Sequence, residues 1–276
     1  MTNGSDAVRE RYAMSGILDR VIAFLEERGI DLGRPTYQDF FPFDQLHGRG
    51  IEATREHIER SGINSSMQVM DLGCGVGGCS RVIAATCGCR VTGIDLTLQF
   101  IEVARELTRR CGMAERIEFR QADALDLPFA EDTFDHVWCH NVTINIQDKR
   151  KLASEVARVL KPGGRFSCSE IGQGPGGALI FPLPWATDAS ASFLVTPAMM
   201  SQAIEEGGLR INEEIDLSDA GIAFLGEMRA RAERGDPSFN AYHVIMGDDI
   251  GERIRNVSRC AMEKRVVEHF ILAEKP

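Results

Sequence analysis

Three aspartates, each closing a short apolar run, carry the chemistry this sequence announces: Asp71 in VMDLGCGVGG, Asp95 in VTGID and Asp123 in RQADALDLPF. Asp71 stands two residues ahead of a turn spaced Gly73-x-Gly75-x-x-Gly78, with Gly77 beside the last of these. Glycines there let a backbone come close to a ligand. A carboxylate ending a second strand can accept from both ribose hydroxyls, and one just past a third can accept from an adenine amino group. Candidate proton acceptors are His140, at the end of a fourth apolar run, then His47 and Glu170; each also has an ordinary structural reading.

The glycine spacing alone permits a dinucleotide, whose pyrophosphate would rest on the N-terminus of the following helix. Asp71 argues against that ligand, because a fixed carboxylate repels a pyrophosphate and attracts an ammonium or a sulfonium. S-adenosylmethionine carries both cations and no phosphate. Asp95 lies 22 residues after Gly73 and suits the ribose of either ligand. An NAD-dependent oxidoreductase and a non-catalytic S-adenosylmethionine-binding protein stand as alternatives.

The elements that must position these acids follow from periodicity. MQVMDL, RVTGID, RIEFRQAD, FDHVWCHN and RFSCSEI read as strands. Helical patterns lie between them, the last closed by Pro162-Gly163-Gly164. This alternation signals βαβ units and a parallel sheet. Upstream, ILDRVIAFLEERG and IEATREHIERSGI read as helices flanking the aromatic stretch YQDFFPFDQLHGRG. Downstream comes a long Gly/Pro-rich loop, then a helix over Thr196–Gly207 with Thr196 as cap and Pro197 in its first turn. Two further helices fall around Ile222–Glu233 and Gly251–Lys264, between the strands RINEEIDL and RVVEHFILAEK.

The 276 residues, 43% hydrophobic and 26% charged, are those of a folded globular chain. A net charge of -10 without a concentrated basic surface excludes nucleic acid as an expected partner. No signal peptide or membrane-length apolar run is visible, so a cytoplasmic location without stable membrane association is expected. Eight cysteines in such a chain read as free thiols. Cys87-Gly88-Cys89 has the wrong spacing for a zinc knuckle, and His136 and His140, four apart on a strand, stand about 13 Å from one another. No metal is expected.

Taken in order, VMDLGCGVGG, VTGIDLT, QADALDLPF, FDHVWCHN and RVLKPGGRF resemble the consecutive motifs of class I S-adenosylmethionine-dependent methyltransferases. The resemblance implies an α/β fold: a Rossmann-like seven-stranded, mostly parallel sheet with helices on both faces, its last strand antiparallel. It also implies that Asp71, Gly73, Gly75 and Gly77 hold the methionine part, Asp95 and Leu96 the ribose, and Asp123 and Ala124 the adenine, with Asn141 beside the methionine part. FPFDQLHGRGIEATRE and FPLPWATDASASFLVTP are similar to the small-molecule group of sarcosine and dimethylglycine N-methyltransferases.

That similarity divides the chain into an N-terminal helical cap (1–66), a core (67–218 and 264–276) and a helical lid insertion (219–263). The expected substrate pocket draws on Tyr37, Phe43, Gln45, Trp185 and Asp188, polar or aromatic groups that could line a mostly apolar site. The first expectation for the acceptor is a small amine or amino acid. A quinol, terpenoid or other natural product, methylated on carbon or oxygen, is the alternative. The lid helices could pair between two copies as a homodimer.

Overall fold

The computed structural model describes residues 12, 15–234 and 241–276. The parts of the expected cap and lid at 1–11, 13–14 and 235–240 lie outside the described residues. Helices α1 (Ile17–Glu27) and α2 (Gly50–Ser61) precede β1 (Gln68–Leu72), α3 (Gly78–Cys87), β2 (Arg90–Asp95), α4 (Leu98–Arg110), β3 (Ile117–Gln121) and β4 (Phe134–His140). Then follow α5 (Lys149–Val159), β5 (Leu160–Gln173), α6 (Pro197–Glu206), β6 (Arg210–Asp216), α7 (Ser218–Glu233), α8 (Ile250–Met262) and β7 (Val266–Glu274).

The seven strands run in the order β3-β2-β1-β4-β5-β7-β6, with β7 antiparallel to both neighbours. The order reverses between β1 and β4, where a doubly wound sheet leaves a crevice at its carboxyl edge. Parallel strands are covered on both faces, which explains their near-continuous apolar runs. Met70, Leu72, Val137 and Cys139 face α5 and α6 through Leu152, Val156, Met200 and Ile204. Val69, Val91, Ile117 and Trp138 face α3 and α4 through Val82, Ile83, Ile101 and Ala104. Each such aliphatic side chain, fully buried, contributes roughly 1.5–3 kcal/mol.

Boundaries differ from the sequence reading chiefly at β5. Pro162-Gly163-Gly164 looks like a stop, yet the strand begins at Leu160 and runs through it, with Gly163 N–H donating to Lys275 O and Lys275 N–H to Gly164 O. Proline is tolerated there because the pairing with β4 shifts register between Phe134 and His136, away from an uninterrupted ladder. Thr196 caps α6 as expected, its Oγ1 accepting from Met199 N–H.

The segments outside the sheet pack on one another. Ile17, Val21 and Leu25 of α1, Phe40 and Phe43, and Phe100 of α4 share one cluster with Val244, Ile245 and Ile250. Ala241 N–H donates to Pro42 O, and Arg20 Nε to Val244 O, so α1 and the aromatic stretch are tied to the segment that precedes α8. The long loop after β5 is pinned beneath α8, where Arg253 Nη1 donates to Leu183 O. No helix among the described residues is long and apolar enough to cross a membrane.

One buried ion pair ties the N-terminal segment to the glycine turn. Arg81 of α3 donates from Nη2 to Asp44 Oδ2 at 2.9 Å and to Val76 O, and both partners are almost fully buried. Removing one member of such a pair strands the other charge. Arg81→Leu is therefore expected to lower unfolding stability by about 3–5 kcal/mol in urea titration; a change within about 0.5 kcal/mol, the ordinary range of a surface substitution, would contradict this.

Candidate active site

A cleft of about 800 Å³ opens where β1 to β4 end. Asp71, Gly73, Gly75, Asp95, Leu96, Asp123, Ala124 and Asn141 line it, with His47 and His140 at one side. Eight of the nine residues expected to hold the cofactor are thus brought together. The ninth, Gly77, is not in the wall: it precedes α3 at φ 83°, and a Cβ there would fall 2.8 Å from the Phe119 ring, so it shapes the turn. Gly73 makes the close approach, since its Cβ would lie 2.3 Å from Val142 Cγ2.

Asp71 is 2% exposed and accepts from Ser80 Oγ at 2.5 Å. Burial, opposed by that hydrogen bond and reinforced by nearby Asp95, raises its carboxyl to about 7. Asp95 is also raised by burial, while Gly75 N–H and Thr97 N–H donate to its two oxygens at 3.0 and 2.8 Å. Leu125 N–H donates to Asp123 Oδ1 at 2.9 Å, and no described residue donates to Oδ2.

S-adenosylmethionine fits this donor set. A buried, cation-seeking carboxylate lies beside the glycine turn, a second closes β2 at the cleft, and a third with a free oxygen follows β3. A pyrophosphate on the same turn would meet Asp71 instead of a cation. Asn141 holds a left-handed conformation, φ 54°, a conformation uncommon for non-glycine residues that often marks a ligand-facing turn.

The histidines form a stacked group. His47 and His140 lie face to face, ring centres 3.7 Å apart, and His57 stacks on Trp138 at 3.4 Å. His47 is lowered to about 4, mainly by burial, and His140 falls well below its ordinary value for the same reason and through the neighbouring His47 and His57. Both imidazoles are neutral at pH 7. His47 Nδ1 lies 3.0 Å from Gly48 O, which can only accept, so Nδ1 carries the proton. Its Nε2 lone pair then faces Thr54 Oγ1 at 3.1 Å and Cys79 Sγ at 3.6 Å.

Glu170, the third expected base, is not brought to the cleft. It is 1% exposed behind β4, where Oε1 accepts from Val142 N–H at 2.8 Å and Thr143 N–H at 3.1 Å. It therefore shapes the turn that carries Asn141. Of the expected pocket residues, Trp185 lines a cavity beside the cleft, and the other four line neither it nor the cleft. Phe43 is core against Phe24 and Phe40, Tyr37 packs edge-on against Phe41, and Gln45 is locked between Asp44 and Thr54. Asp188 is exposed and accepts from Ser190 N–H.

The cavity that Trp185 lines is a second chamber of about 210 Å³, walled by Ile144, Ile171, Ile222, Leu225, Met228, Ile254 and Val257. It meets the cleft at Leu46, His47, Asn141 and Met246, which line both. At its side Arg49 Nε donates to Glu268 Oε1 at 3.1 Å. Sequence reasoning missed Arg49, Cys79, Glu268 and the apolar wall. Helical apolar spacing marks a buried face but does not say whether core or cavity lies opposite.

Residues 70–168 match the Methyltransferase domain family. Over 128 residues the chain is 37% identical to the methyltransferase GfsG of Streptomyces halstedii, covering 46% of each protein. It is 27% identical over 210 residues to an O-methyltransferase of Pyrenophora dematioidea, covering 74% of this chain and 73% of that one. The alignments span about half or less of the length of most curated relatives matched. Among solved structures, a phosphoethanolamine N-methyltransferase 2 from Haemonchus contortus superposes with TM-score 0.77 at 22% identity, over 100% of this chain and 61% of that one. The matched residues thus span the strands that carry all three acids, and the fold is the Rossmann-like one expected.

Asp71 gives the site a pH dependence. In the ligand-free protein its carboxyl gains a proton as pH falls through about 7. A cationic ligand favours the ionised form, so binding must then displace that proton. Calorimetric affinity for S-adenosylmethionine is expected to weaken between pH 7.5 and 5.5, by up to about tenfold per unit. The same titrations on Asp71→Asn are expected to give a weak, flat profile; an equally steep profile in that variant would assign the proton elsewhere.

Proposed function

We propose that this protein is an S-adenosylmethionine-dependent methyltransferase whose acceptor is a small, largely apolar molecule methylated on oxygen or carbon. The observation that carries this reading is the junction of the two cavities. A cleft suited to a cationic nucleoside and an apolar chamber meet at His47 and Asn141. A small charged amine, the first expectation from sequence, suits the chamber less well, because burying an unpaired charge among aliphatic walls is unfavourable. Glu268 is the feature that favours an amine, and its carboxylate is already met by Arg49.

When bound, S-adenosylmethionine supplies an electrophilic methyl group. Every other contribution comes from the chain. Asp71 and the glycine turn hold the cationic end, while Asp95 and Asp123 fix the ribose and the base. The chamber orients the acceptor and keeps water away, which supports a transfer that depends on alignment at near-attack distance. His47, once its Nε2 lone pair turns from Thr54 and Cys79 toward the acceptor, and His140 stacked against it can take the proton of an acceptor hydroxyl or acidic carbon. Burial leaves that lone pair free of a proton at neutral pH.

Mass spectrometry after incubation with S-adenosylmethionine and either 2-naphthol or sarcosine tests the reading. Methyl transfer to the naphthol is expected, with turnover lowered about 10²-fold or more in His47→Ala or His140→Ala while S-adenosylhomocysteine binding persists. Transfer to sarcosine alone, undiminished in both variants, would restore the amine reading. Cofactor binding with no acceptor methylated in a wider panel would favour a non-catalytic protein.

A further inference from the structure

His47, Cys79 and His140 meet at the wall of the cleft, and nothing in methyl transfer requires a thiol there. One ligand atom from each lies within 4.8 Å of the other two. The three come from separate elements: the loop before α2, the first turn of α3 and the end of β4. His47 Nε2 and Cys79 Sγ are 3.6 Å apart, and a tetrahedral zinc site with ordinary Zn–N and Zn–S bonds sets that edge at about 3.5 Å. His47 Nδ1–H is held by Gly48 O, the arrangement that fixes the tautomer of a ligating imidazole. His140 Nδ1 is buried with no hydrogen-bond partner.

We propose that His47, Cys79 and His140 form a two-nitrogen, one-sulfur site for Zn²⁺, with its fourth position open to the cleft. Thiolate with imidazole selects zinc over the hard cations Mg²⁺ and Ca²⁺. Entry of the metal displaces the proton of the Cys79 thiol. Ligation by both rings requires the stack to fan apart, since each lone pair lies in its ring plane. The other cluster of this kind among the described residues, Cys139, Cys168 and Glu170, is fully buried in the sheet, and Glu170 there already accepts two backbone N–H groups.

This site goes beyond the proposed methyl transfer and has a consequence for it. A dication held there would occupy the lone pairs of both candidate bases at the wall of the cofactor cleft, so zinc would silence transfer and disfavour the charged cofactor more than its neutral product. Only that consequence rests on the proposed function.

Cobalt substitution tests the site without any acceptor. Titration of the purified chain with Co²⁺ is expected to give one equivalent per chain, with a sulfur-to-cobalt charge-transfer band lost in Cys79→Ser and weakened in His140→Ala. S-adenosylhomocysteine binding, followed in parallel, confirms that each variant is folded and tests the cofactor reading separately. No band in the wild type, or a band that survives Cys79→Ser, overturns the proposal; its loss in Cys139→Ser instead would place the metal in the sheet. With the site loaded by Zn²⁺, affinity for S-adenosylmethionine is expected to fall at least about tenfold more than affinity for S-adenosylhomocysteine. An equal effect on both overturns the expected preference against the charged cofactor.

Discussion

A carboxylate buried at the end of a central strand is the constraint on which the site depends. Asp71 sits at 2% exposure in a low-dielectric wall with Asp95 close by, and its raised affinity for a proton records how poorly the protein alone satisfies it. An unpaired buried anion is costly, and its natural complement is a cation arriving from the cleft. The glycine turn follows from that arrangement. Gly73 has no room for a side chain against Val142, so the backbone passes close to the space the cation would fill. The topology follows as well, because only the β1/β4 reversal leaves a crevice at that strand end.

The segments outside the sheet serve the same crevice from the other side. The Asp44–Arg81 pair fixes the N-terminal stretch to the helix that follows the glycine turn, and His47 comes three residues after Asp44. The cluster shared by α1, Phe43 and Ile245 then seats the late helices over the opening. Their apolar faces continue into the second chamber. The second chamber and the helices around it are therefore built together, and His47, stacked on His140, lines both it and the cleft.

How legible this was in the sequence depended on what each signal measures. The order of strands and helices, the three acids and the glycine turn were readable because parallel strands are apolar throughout and their ends are punctuated. Thr196 and Pro197 gave a helix start that the backbone confirms. The extension of β5 through Pro162-Gly163-Gly164 was not readable, since those residues signal a stop locally and are overridden by pairing with Lys275. Tyr37, Phe43 and Gln45 were drawn into the expected pocket by their amphipathic mixture, and packing took them into core and hydrogen-bonded positions. Glu170 sits at a strand end like the functional acids, but its carboxylate turns inward to two backbone N–H groups. Cys79 gave no signal because its partners, His47 and His140, are distant in sequence.

Three strand-end carboxylates suit this cleft to S-adenosylmethionine over a dinucleotide. Calorimetric titration of the purified protein with S-adenosylmethionine, S-adenosylhomocysteine and NAD, on wild type and on Asp95→Ala, tests this. Both sulfur ligands are expected to bind and NAD not to, with the substitution weakening both. Binding of NAD with no response to either sulfur ligand would contradict it and turn the site toward hydride transfer.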